Sequence, residues 1–240
     1  MATLKEWTTL QANWGVPELQ PVHESTLQLV EKARVKNPEG HTIIHYNFKV
    51  TGLPKDDKYT MEFWQVGGPS HPFQLVSRDV TINADGIVVC SATQACGDKT
   101  KKEYPLEVAI PSSLGFPNRF VLTSQKHRDI WVTGLAIPFP IESVSDGCRL
   151  EIVRITPNGE LLLFSGFGLP ANQTIHIDNN SAGESHNVTV QTDAQGHFSQ
   201  AELPFVIGKT SGTLELKIGQ DAPCHPSIQT EWGQGSNHLQ

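Results

Sequence analysis

Apolar and polar side chains alternate with a period of two in one segment after another, and turn-forming residues stand where the alternating runs stop. Within 43–50, Ile44, Tyr46, Phe48 and Val50 fall on one side and His45, Asn47 and Lys49 on the other. Tyr59, Met61 and Phe63 form a second apolar row, with Trp64 on the opposite face. Ile175 and Ile177 alternate with Thr174, His176 and Asp178; Leu214, Leu216 and Ile218 alternate with Thr213, Glu215 and Lys217. Successive side chains of a strand point to opposite faces, so each run describes a strand with one dry and one wet side. A helical period is not sustained anywhere. The best candidate, 27–33, also reads as a strand with Leu27, Leu29 and Glu31 on one side.

The turn chemistry agrees. Asp85-Gly86 separates Val80-Thr81-Ile82 from Ile87-Val88-Val89, and Asn158-Gly159 separates 152–155 from 161–164. Asp193-Ala194-Gln195-Gly196 lies between Val190 and Phe198. Gly, Asn and Asp tolerate the positive φ of tight hairpins. Short strands at such spacing predict an all-β sandwich or barrel.

A weak internal repeat divides the chain. Val50-Thr51-Gly52-Leu53-Pro54 is echoed by Gly166-Phe167-Gly168-Leu169-Pro170, and Val80 to Gly86 by Val188 to Gly196. The same order of signals twice predicts one module used twice. Pro138 and Pro140 mark the junction, because proline cannot donate to a ladder. The expected organisation is an N-terminal extension over 1–24, a first sandwich over 25–140, a second over 141–233 and a tail over 234–240.

The second half resembles the immunoglobulin-like and fibronectin-type-III-like domains of secreted bacterial proteins. The carriers are Gly166-Phe167-Gly168-Leu169-Pro170-Ala171-Asn172, Thr192-Asp193-Ala194-Gln195-Gly196-His197-Phe198, and Gly212-Thr213-Leu214-Glu215-Leu216. The resemblance implies two tandem antiparallel Ig-like β-sandwich domains. It also implies extracellular adhesion, scaffolding or accessory binding, and it transfers no catalytic residue.

Of 240 residues, 38% are hydrophobic and 18% charged, and the formal net charge is −7. No dense Lys/Arg cluster exists, so a nucleic-acid partner is not expected. No stretch reaches the roughly 18 apolar residues of a membrane helix. The first residues, Met1 to Trp7, lack the apolar core of a signal peptide; the chain is then cytosolic or a mature form, and the cysteines favour the latter.

Four cysteines allow three pairings. The expected bridges are Cys90–Cys96 and Cys148–Cys224, with four reduced thiols as the alternative. The absence of C-x-x-C argues against zinc. His41 and His45 are four residues apart on one strand, about 13 Å, too far to share an ion unaided. His176 and Asp178 are closer, with His186 or His197 on neighbouring strands. Asp178 to Gly183 begins like an EF-hand loop, but its fifth position is Ala182 and the twelfth is Thr189, so a strand connection is the better reading. No metal and no cofactor are expected. Ser165 lacks the leading glycine of G-x-S-x-G, and neither H-E-x-x-H nor a Walker loop occurs.

Exposed aromatics carry the functional signal instead. Trp64 and Trp131 are the candidate binding residues, because flat aromatic faces take sugars or protein partners. Three sequons, Asn172-Gln173-Thr174, Asn179-Asn180-Ser181 and Asn187-Val188-Thr189, would mark exposed loops in a eukaryotic secretory pathway. The expected function is a non-enzymatic, secreted or cell-surface structural or adhesion protein with a protein or glycan partner. The alternatives are a carbohydrate-binding accessory protein using Trp64 or Trp131, and a hydrolase with a dispersed site.

Overall fold

The structure is a computed structural model that describes residues 25–65, 74–91, 103–111 and 114–234. The expected N-terminal extension, almost all of the tail and Cys96 lie outside the described residues. Every regular element among those described is a β-strand, and all strand pairs are antiparallel.

The chain divides into two compact units. The first is built from β1 (Thr26–Lys36), β2 (Thr42–Thr51), β3 (Tyr59–Gln65), β4 (Gln74–Ile82), β5 (Val88–Ser91), β6 (Glu103–Pro105), β7 (Glu107–Pro111), β8 (Asn118–Ser124) and β9 (Trp131–Ala136). Its sheets run β1-β2-β7 and β6-β5-β4-β3-β8-β9. The apolar row of β2 faces inward: Ile44 and Phe48 are wholly buried, Tyr46 and Val50 nearly so. Phe48 packs on Phe120 of β8 with ring centroids 5.0 Å apart, and Phe63 on the same ring at 5.1 Å. The alternation breaks at one place. A bulge between Glu31 and Ala33 of β1 adds a residue, so Glu31 leaves the row begun by Leu27 and forms an exposed pair with Arg34 at 2.7 Å.

The second unit holds β10 (Ile141–Ser145), β11 (Cys148–Arg154), β12 (Leu162–Phe167), β13 (Thr174–Ser181), β14 (Glu184–Gln191), β15 (Phe198–Glu202), β16 (Ser211–Ile218) and β17 (Ser227–Gly233). Its sheets run β10-β11-β12-β15 and β14-β13-β16-β17. One hydrophobic cluster lies between them, from Leu150, Ile152 and Phe164 on one side to Ile177, Leu214, Leu216 and Trp232 on the other. Residues 114–116, which join β7 to β8 in the chain, belong to this unit. The Gly115 amide donates to the Phe139 carbonyl at 2.6 Å, the Arg154 amide donates to the Gly115 carbonyl at 2.7 Å, and Leu114 packs on the cluster.

Strand for strand, the units share one topology. β1-β2-β7 corresponds to β11-β12-β15, and β4-β3-β8-β9 to β14-β13-β16-β17. β10 is an addition to the second unit, and β5 and β6 interrupt the first. Ile87 bridges Lys49, β7 then resumes pairing with β2 at Glu107 opposite Asn47, and β5 and β6 fall between. The hairpin chemistry repeats as well. Asn83 Oδ1 accepts the amides of Asp85 (3.0 Å) and Ile87 (2.9 Å); Asp193 Oδ1 accepts those of Gln195 (2.9 Å) and His197 (2.8 Å). Both turns close on a glycine with positive φ, 80° at Gly86 and 74° at Gly196. Such side-chain acceptors replace the ladder partners that a turn removes.

Candidate interaction surface

Trp64 stands on β3 opposite Arg119 of β8, on the sheet face away from the Phe63–Phe120 contact. The Arg119 guanidinium lies 5.6 Å from the centre of the indole, a cation–π distance, and Trp64 is half-buried. Arg119 itself is only 2% exposed, and its loss of water pulls the guanidinium down to about 10. It therefore stays charged at neutral pH and holds one face of the indole.

Trp131 occupies the same sheet face, opposite Thr123. It does not match the expected role as a binding platform, because it is 1% exposed and presents no ring face to a ligand. Its Nε1 has no hydrogen-bond partner among the described residues. An alternating strand pattern cannot reveal this: β8 is buried on both faces, from Asn118 through Leu122, so the neighbouring outer row of β9 is covered too.

The expected Cys148–Cys224 bridge is present, with Cα atoms 6.0 Å apart and 76 residues between them in sequence. It ties the start of β11 in one sheet to the connection between β16 and β17 in the other. Cys90 is also disulfide-bonded.

The histidines do not converge. His45 Nδ1 lies 2.7 Å from Glu107, His41 Nε2 4.0 Å from Glu39, and His176 Nε2 3.8 Å from Asp221. His186 is 4.0 Å from Glu184, and His197 packs edge-on against Phe167 at 5.2 Å. Among the described residues, no group of three or more His, Cys, Asp and Glu is placed to hold a metal ion. The segment 178–183 is the end of β13 and the turn into β14.

The outer face of β14-β13-β16-β17 is a broad polar surface. Thr174, His176, Asp178 and Asn180 of β13 lie beside Thr189 and Asn187 on one side and Lys217 and Glu215 on the other. Of the three sequons, the one at Asn179 is not on an exposed loop. Asn179 is 3% exposed, points inward from β13 and donates to Glu202 Oε1 at 2.9 Å. Asn172 and Asn187 are exposed.

The sequence reading missed the buried polar end of this sandwich. Arg154, 4% exposed, donates to Thr230 Oγ1 (3.1 Å) and the Glu231 carbonyl (3.2 Å), and lies 5.8 Å over Phe116. Burial lowers its affinity for the proton, and the Glu231 carboxylate opposes that. Trp232 Nε1 donates to Ser181 Oγ at 3.0 Å, and that hydroxyl donates to the Pro204 carbonyl. The available signal was a charged residue inside an apolar run, Ile152-Val153-Arg154-Ile155. On the opposite sheet, burial raises Glu151, with Arg149 at 3.6 Å opposing the shift. Arg149 also covers the Phe167 ring at 4.4 Å.

No helix among the described residues is long and apolar enough to cross a membrane. No family model matches the chain, and comparison with curated proteins gives no match. Among solved structures, the chain is similar to a tetra-tandem repeat in the extending region of a large adhesion protein, at 12% identity and a TM-score of 0.28. That similarity covers 87% of this chain and 49% of the other, so this chain spans about half its length. A TM-score of 0.28 carries no argument about what this protein does.

Proposed function

We propose that this chain is a non-enzymatic structural or adhesion protein of an extracytoplasmic compartment, secreted or at a cell surface. Two immunoglobulin-like or fibronectin-type-III-like modules serve as stiff units that present sheet faces and loops to a protein or glycan partner. The observation that carries the reading is the disulfide Cys148–Cys224, which clamps the two sheets of a module whose topology is used twice. Structural disulfides persist in oxidising compartments, where covalent closure replaces the protection a cell interior gives. The three-plus-four strand division with crossings between the sheets supports the module type. The test uses protein from its natural source. Intact mass before and after reduction, with thiol alkylation, should show the cysteines oxidised, and protease treatment of intact cells should release fragments of the chain or find it already in the medium. Four alkylated thiols without reduction would tell against the reading.

A second reading, glycan capture, rests on Trp64 and the Arg119 beneath it. A glycan array should then show binding that Trp64→Ala abolishes. Equal binding by both proteins would remove Trp64 from the site.

A further inference from the structure

Leu203, Phe205 and Ile207 form an apolar ridge in the connection between β15 and β16, with 58, 54 and 93% of their surface exposed. They alternate with Pro204 and Val206, which face inward, so the three point the same way over about 13 Å of extended chain. The ridge is held in place from behind. Ser181 Oγ donates to the Pro204 carbonyl and Lys209 Nζ to the Ala182 carbonyl, and Val206 is 5% exposed in the core. An apolar segment that is fixed while exposed has already lost the conformational freedom that docking would otherwise remove.

The shared topology shows what covers such a ridge. The connection between β15 and β16 corresponds to the one between β7 and β8, and both carry the same pattern: Leu203-Pro204-Phe205 and Leu114-Gly115-Phe116. The second copy of the pattern is already seated in a β-sandwich. Phe116 is 9% exposed under Arg154, and Gly115 exchanges hydrogen bonds with Phe139 and with Arg154 at the end of β11. The counterpart of β11 in the first unit is β1. It is the terminal strand of its sheet, it has no counterpart of β10 beside it among the described residues, and it exposes Val30 (41%) and Val35 (44%). Charge agrees with a match. β1 carries Lys32, Arg34 and Lys36 against Glu31, whereas Glu184 and Glu202 flank the ridge in a chain of net charge −7.

We propose that the Leu203–Phe205–Ile207 ridge docks on the β1 edge of a second copy of this chain. Ridge and edge are different surfaces, so the contact is heterologous and repeats head to tail. One loop on one strand covers less than the roughly 1,200 Å² of a stable complex, so association is weak and sets in at high concentration. This inference does not depend on the functional reading above.

Sedimentation velocity of the full chain tests it, from micromolar to near-millimolar protein at low and high salt. The expected result is a mass average that rises with concentration past the dimer and falls with added salt. Phe205→Ser/Ile207→Ser removes the ridge and Val30→Ser/Val35→Ser removes the edge. All four positions are exposed, and thermal melts check that both variants stay folded. Each variant alone should remain monomeric. An equimolar mixture should form dimers and stop there, because one intact ridge meets one intact edge. A wild-type chain that stays monomeric, variants that associate like wild type, or a mixture that stays monomeric would each overturn the proposal.

Discussion

Replacing both Cys148 and Cys224 with alanine removes a cross-link that spans 76 residues of sequence. In the chain-entropy treatment, closing a loop of that length lowers the entropy of the unfolded chain by about 15 cal/mol/K, or about 4.5 kcal/mol at 25 °C. Both cysteines are nearly fully buried, so truncation to alanine adds a small cavity cost of the same sign. The assay is equilibrium urea unfolding followed by the fluorescence of Trp232, which sits in the core of the second sandwich. With a slope of about 2 kcal/mol/M for a domain of this size, the midpoint should fall by about 2 M. The slope should also rise, because the open unfolded chain exposes more surface than the cross-linked one. A midpoint shift below about 0.5 M, or a lower slope, would refute the argument that the bridge acts by restraining the unfolded chain.

Gly196 and Gly86 should each resist replacement by alanine. A Cβ at Gly196 would run into the Leu169 carbonyl and one at Gly86 would sit 2.6 Å from the Val50 carbonyl, both at positive φ, so a loss of about 3 kcal/mol is expected in urea unfolding of either variant. Burial raises Glu151, with the Glu142 charge adding to it against Arg149. A raised folded value means stability is fully present below the unfolded value near 4.5 and is lost as pH rises through the folded one. Glu151→Gln should therefore be more stable than wild type at pH 7, with the difference shrinking towards pH 4.5, as thermal melts across pH would show. In a eukaryotic secretory host, peptide mapping after glycan removal should find modification at the exposed Asn172 and Asn187 and none at the buried Asn179.

Much of the fold was legible in the chain. The rows Ile44-Tyr46-Phe48-Val50 and Leu214-Leu216-Ile218 are buried as their alternation requires, and Gly86, Gly159 and Gly196 turn the chain where strands end. The Gly-Leu-Pro echo also has a structural counterpart: Leu53 and Leu169 are both buried, and the Pro54 and Pro170 carbonyls each accept a hydroxyl, from Tyr59 at 2.6 Å and Thr192 at 2.6 Å. The candidate site was less legible. Trp64 and Trp131 look alike in sequence, yet one is half-buried against Arg119 and the other is enclosed.

The difference has a physical cause. Alternation, turn residues and cysteine spacing act over a few neighbours along the chain, so the sequence alone determined that strands form, which side of most strands is dry and where they reverse. Whether a strand is covered on its second face depends on what comes to lie over it from far away in the chain. Only tertiary structure could bury Trp131 and Arg119, turn Asn179 inward to Glu202, and seat Leu114 and Phe116 while leaving Leu203 and Phe205 in water.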